Sequence, residues 1–213
     1  MKQGELDKAL RSAVRDVAKL RGWKASGGFL LKSTEFLFFT IIVTASKKST
    51  SLSYLALRKP LPFDDLFWKI MDLEENATKP LSFRAAGVFT APMNTFAKGL
   101  VEISDLEPSS LRTGVGKILE ICEPEISRME GEIGSPDEYI KMLETSAPEL
   151  DEKKAGKTIW IDRLLAAILI EKFDVARSIV QDRKAAGDNG GFLSGSDMKT
   201  FYDLADQYLD RTA

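Results

Sequence analysis

Phe36-Leu37-Phe38-Phe39-Thr40-Ile41-Ile42-Val43, followed by Ser46-Lys47-Lys48-Ser49 and the alternating stretch Ser51 to Arg58, decides how this chain is read. Eight residues dominated by β-branched and aromatic side chains, bounded by a polar turn, predict a strand, and the turn predicts a hairpin with its neighbour. Phe36, Phe38, Thr40 and Ile42 alternate with Leu37, Phe39, Ile41 and Val43, so both faces are apolar and the strand belongs in the middle of a sheet. The hydrocarbon core of a bilayer needs about 20 apolar residues from a helix, far more than this run offers. Glu35 to Ala45, Ser51 to Arg58 and Phe29 to Lys32 therefore read as three antiparallel strands, the first two joined across the Ser46–Ser49 turn.

Leu6, Ala9, Leu10, Ala13, Val14, Val17 and Leu20 recur at the spacing of one helical face before the sheet, and Gly22 suits the left-handed residue that ends a helix. Past the sheet, Pro60 and Pro62 precede a helix that carries Asp64 and Asp65 in its first turn and Leu66, Phe67, Ile70 and Met71 along one side. Phe83 to Thr90 reads as a further strand, with Gly87 as a bend, and Leu100 to Ile103 as a short fifth. From Pro108 onward the pattern is helical: Leu111, Val115, Ile118, Leu119, Cys122, Ile126 and Met129 form a stripe with Pro124 inside it. Ser135-Pro136-Asp137-Glu138 has the form of a capped helix start. Ile159–Lys172 and Asp174–Ala186 read as a helical hairpin, Ser196 to Asp210 as a last helix, and 148–157 as an exposed linker.

The fold expected is α+β: an antiparallel sheet of four or five strands with packed helices over residues 1–105, followed by an all-helical region over 106–213 that can pack on the first as one unit.

Composition narrows the chemistry. The 213 residues include no histidine and one cysteine, Cys122. That removes the usual general base, every Ser-His or Cys-His pair, an intrachain disulfide and a cysteine-built zinc site, so no metal and no cofactor are expected. The start of the chain lacks the pattern of a secretory signal, and a cytoplasmic location is expected. Net charge is −2, yet residues 1–60 carry 12 Lys/Arg against 4 Asp/Glu. Trp23, Lys24, Lys47, Lys48 and Arg58 combine an aromatic with positive charge around the sheet and are the candidate binding residues; lysines at strand ends also keep edges soluble.

Other motifs are partial. Asp188, Gly191, Ser194 and Asp197 sit at calcium-loop offsets, but Ala186 and Gly190 stand where two ligands belong. Gly114-Val115-Gly116-Lys117 and Gly156-Lys157-Thr158 are fragments of a phosphate loop without its first glycine, and Ser196–Lys199 has Ser-x-x-Lys spacing without companion motifs. Glu120, Glu123, Glu125, Glu130 and Glu132 could set two carboxylates on one helix face for acid/base or metal work, or form a solvated face.

The opening helix, Gly22-Trp23-Lys24, Phe29-Leu30-Leu31 and the long apolar strand with Ser46-Lys47-Lys48-Ser49 together resemble the bacterial family called domain of unknown function 4304, over about the first half of the chain. That resemblance implies a bacterial α+β protein and assigns no catalytic residue. The function expected is a protein-binding module without catalysis, with another protein as partner. The alternatives are a histidine-free enzyme acting on a small molecule and a nucleic-acid binder using the basic N-terminal part.

Overall fold

The computed structural model describes residues 2–86, 89–146, 158–191, 193–194 and 198–212. Its elements in chain order are α1 (Gln3–Leu20), β1 (Lys24–Ser26), β2 (Phe29–Ser33), β3 (Leu37–Ala45), β4 (Ser51–Pro60), α2 (Leu61–Ile70), a 3₁₀ turn (Glu74–Thr78), α3 (Ser82–Ala86) and β5 (Asn94–Glu102). There follow α4 (Pro108–Glu132), α5 (Pro136–Ser146), α6 (Thr158–Leu169), α7 (Phe173–Ala185), β6 (Leu193–Ser194), β7 (Lys199–Thr200) and α8 (Phe201–Thr212). The fold is α+β, with a five-stranded antiparallel sheet and a helical C-terminal region.

Two compact units divide the chain, one of residues 1–59 and 94–132, the other of 60–93 and 133–213. The units are interleaved in sequence, and α4 falls with the sheet. Its stripe Leu111, Val115, Ile118, Leu119 and Cys122 is fully buried, and the helix lies against α1 and β5. The strand expected over 83–90 is a correction: Ser82–Ala86 is helical, and Gly87 lies outside the described residues. The strand that follows β4 in the sheet is instead Asn94–Glu102. An aromatic and β-branched run has no intrinsic demand for a ladder; it becomes a strand only where a partner edge is within reach.

In the first unit the sheet runs in simple order from β1 to β5. Phe29 pairs with Ile42 and Leu31 with Thr40, while Leu55 pairs with Lys98 and Ser53 with Leu100. Directly paired residues point to the same side, so the sheet has two definable faces. One carries Leu30, Leu37, Phe39, Ile41, Val43, Leu52 and Ala56; α1 and α4 pack on it with Leu6, Leu10, Ala13, Val14 and Val17 from α1. Gly22, at φ +71°, ends α1, and the Trp23 N–H returns to the Ala18 carbonyl at 2.8 Å.

Closeness of α4 to the sheet depends on one glycine. A Cβ on Gly114 would stand 2.6 Å from Ile103 Cγ2 and 2.7 Å from Leu52 Cδ1, whereas Gly116 has nothing within 4 Å. Gly114→Val is therefore expected to destabilise by about 1–3 kcal/mol through overpacking, while Gly116→Ala stabilises by about 0.5–1 kcal/mol through helix propensity. Urea denaturation of the two variants checks the difference in sign.

The second unit is built on α2. Its Phe67 ring stacks on Phe201 of α8 with centroids 4.9 Å apart, and Phe63 meets Tyr139 of α5 edge-on at 5.6 Å. Asp64 is fully buried and accepts from Arg84 at 3.1 Å and from the Ala91 N–H at 2.9 Å. Arg84 also reaches Asp65 at 2.9 Å and lies over the Trp68 ring at 4.8 Å. Charge, hydrogen bonding and aromatic contact thereby clamp the 82–91 stretch to α2. The helical hairpin expected over 159–186 is α6 and α7, with Arg163 and Arg183 on the Trp160 ring at 4.7 and 4.2 Å. The proposed linker 148–157 lies outside the described residues.

Candidate functional site

The second face of the sheet is the one the helices of the first unit leave alone. Strand pairing puts Ser26, Phe29, Ile42, Leu55 and Lys98 in one row, taking Thr44 and Ser53 as neighbours from their 2.6 Å hydroxyl contact. Lys24, Leu31, Thr40 and Leu57 form the adjacent row. Burial on this face is graded. Leu31, Phe38 and Thr40 are buried; Phe29, Ile42, Leu55 and Leu57 are half-buried; Thr44 and Lys98 are exposed. Leu100, beside Ser53, is 70% exposed. Part-exposed apolar side chains side by side on one face, ending in an exposed leucine, form a surface that a partner can cover.

Charge frames the strip. Lys24 stands on edge strand β1 and Lys98 on edge strand β5, and exposed Lys47 and Lys48 occupy the β3–β4 turn. Glu102, opposite Ser51, is the acidic residue that the register adds to this face. Three of the five residues singled out in the sequence, Lys24, Lys47 and Lys48, thus border one surface.

Trp23 and Arg58 do not belong to it. Trp23 is buried, and its indole N–H donates to Glu123 at 3.1 Å, which also pairs with Arg21 at 2.5 Å. Those contacts fasten the α1–β1 corner to α4, and the Glu123 carboxylate pushes the Arg21 guanidinium up. Arg58 falls on the α1/α4 side of the sheet by strand parity. It is buried there, donates to Met129 Sδ at 3.2 Å and lies 5.8 Å from the Phe96 ring centroid. Phe29, Ile42, Leu55, Lys98 and Leu100 complete the surface and were not among the candidates. The alternation of 51–58 was a signal for Leu55, but Lys98 and Leu100 needed the β4–β5 register.

Four of the five acidic residues singled out on α4 are in ion pairs. Besides Glu123, Glu130 meets Lys32 at 2.8 Å, Glu125 meets Arg128 at 2.6 Å, and Glu132 closes on the same guanidinium. Arg128 holds the Glu125 carboxyl below its ordinary range. Gly114–Lys117 lies inside α4 rather than in a loop. In the 186–197 stretch, Asp188 and Asn189 accept from the N–H groups of Gly190 and Gly191 at 2.9 Å each, as turn-forming side chains do. Asp197 and Ser196 lie outside the described residues.

Cys122 is the chain's single thiol, and burial, helped by the nearby Glu123 charge, pushes it up to about 11. At pH 8 it stays protonated and enclosed, so the native protein is expected to resist a thiol-titrating reagent that reacts at once when urea is added. Rapid labelling of the folded chain would contradict this placement.

A second concave feature lies in the other unit. Ile140, Ala166, Ala167, Ile170, Val175 and Ile179 line a hollow of about 180 Å³ between α5, α6 and α7. The Glu144–Arg163 pair at 2.7 Å stands on its rim. Among the described residues no helix is long and apolar enough to cross a membrane. Compared with known proteins, the chain matches no family model, no curated protein and no solved structure.

Proposed function

We propose that this chain is a non-catalytic, cytoplasmic protein-binding module whose binding surface is the half-buried Phe29–Ile42–Leu55 strip on the sheet face away from α1 and α4. The observation that carries the reading is the half-buried row Phe29–Ile42–Leu55, continued by exposed Leu100, on the face of the sheet opposite α1 and α4. Aliphatic area of this kind gains free energy when a partner removes it from water, at about 25 cal/mol per Å². The enzyme alternative is weakened by the carboxylates it would use, since Glu123, Glu125 and Glu130 each serve a neighbouring cation in the first unit. The nucleic-acid alternative draws on Lys24, Lys47 and Lys48, but Phe29 supplies the one aromatic of the strip, and successive stacking needs several rings.

A photo-crosslinking residue placed at Leu55, with a second variant carrying it at exposed Ser127 on α4 as control, tests the reading in lysate of the source cells. A single protein joined at 55 and not at 127 is expected. Leu55→Asp, which puts a charge in the strip, is expected to weaken binding of that protein at least about tenfold, as loss of a central contact does. Nucleic acid joined at 55 in place of protein, or nothing joined at all, would sink the proposal.

A further inference from the structure

We infer that the Phe29–Ile42–Leu55 strip receives an amphipathic helix of the partner running along the strands, with its apolar side set against these three residues and carboxylates along both of its flanks. The inference rests on the protein-binding reading and adds the chemistry of the partner. The width of the strip is the first support: Phe29, Ile42 and Leu55 lie abreast on three neighbouring strands at about 4.8 Å spacing, so a helix laid along the strands meets all three across about 10 Å, close to one helix diameter, with Lys24 and Lys98 to either side. A partner strand would instead seek the unpaired backbone of edge β5 or β1 and would leave the side-chain row uncovered.

Charge supplies the second support. Lys24 and Lys98 stand on opposite edges of the same face, and Lys47 and Lys48 close the end where the strip is most exposed, against Glu102 alone on the acidic side. Neither Lys24, Lys47, Lys48 nor Lys98 is held by an ion pair among the described residues. Acidic groups flanking the apolar stripe on both sides meet these cations. A second copy of the chain laid face to face would set lysine against lysine, so self-association through this surface is opposed.

Three probes test it by fluorescence anisotropy with the full chain. One is a synthetic helical peptide with leucines along one stripe and glutamates on both flanks; the second is its twin with lysines replacing the glutamates; the third is a single-stranded oligonucleotide. The glutamate peptide is expected to bind and the lysine peptide not. In the double variant Lys24→Glu/Lys98→Glu the preference is expected to invert, with the glutamate peptide losing at least about tenfold and the lysine peptide gaining measurable affinity. A gain cannot come from misfolding. Equal binding of both peptides, unchanged preference in the double variant, or tight binding of the oligonucleotide alone would overturn the inference. If the glutamate peptide fails while crosslinking at Leu55 still joins a protein that Leu55→Asp releases, the helix chemistry falls and the protein-binding reading stands; failure of both removes both.

Discussion

Asp64→Ala is expected to lower the stability of the second unit by about 3–5 kcal/mol, the range found when one partner of a buried ion pair is removed. Asp64 has no exposed surface and holds three things at once: the Arg84 guanidinium at 3.1 Å, the Ala91 N–H at 2.9 Å, and through them the 82–91 stretch against α2. Alanine would take the buried carboxylate from Arg84, whose side chain is 15% exposed and which also reaches exposed Asp65 and the Leu61 carbonyl, and would take the same carboxylate from the Ala91 N–H. Asp64→Asn separates the two losses, because an amide oxygen still accepts from Ala91 while the charge facing Arg84 is gone. Its cost is expected to fall between wild type and alanine. Urea midpoints by far-UV circular dichroism measure the series, and an alanine variant within about 1 kcal/mol of wild type would show the clamp to be dispensable.

Phe67→Ala is the second large effect, expected at about 3–5 kcal/mol for truncating a buried aromatic ring. Phe67 is fully buried and stacks on Phe201, so one substitution removes this ring contact between α2 and α8 and opens a cavity in the core of the unit. Phe201→Ala strips the same stack from the other side. Because both delete one shared contact, the double variant is expected to lose less than the two single losses added together. Simple additivity in urea denaturation would mean that the rings stabilise their helices independently.

The elements with a strong repeating pattern were legible in the chain itself. The α1 stripe, the apolar alternation of β3 and the Leu111–Met129 stripe of α4 each state which residues face a core, since side-chain period follows from backbone geometry. The capped start at Ser135 was legible too: Ser135 Oγ accepts from the Glu138 N–H at 3.3 Å. Its glutamate reaches one residue further back than the pattern implies, to the Gly134 N–H at 2.8 Å. Residues 83–90 misled because aromatic and β-branched content reports a preference for half-buried pleated surface, while the Ser82–Ala86 backbone is settled by Arg84 on Asp64 and Trp68.

For the candidate surface, Lys24, Lys47 and Lys48 could be found from composition around a predicted sheet. Phe29, Ile42 and Leu55 could be assigned to strands, but not to an exposed face, because β3 is apolar on both sides and alternation alone does not say which side a helix takes. The amino-acid sequence by itself determined the fold class, the central position of β3, the absence of histidine chemistry and the buried faces of α1 and α4. Tertiary structure decided that α4 packs with α1 on one face of the sheet, that the fifth strand begins at Asn94, that Trp23 and Arg58 are buried, and that Lys98 and Leu100 join the opposite face. Each of these depends on pairing between residues far apart in the chain, and strand register and helix docking are set by which complementary surfaces close together, a property no local window contains.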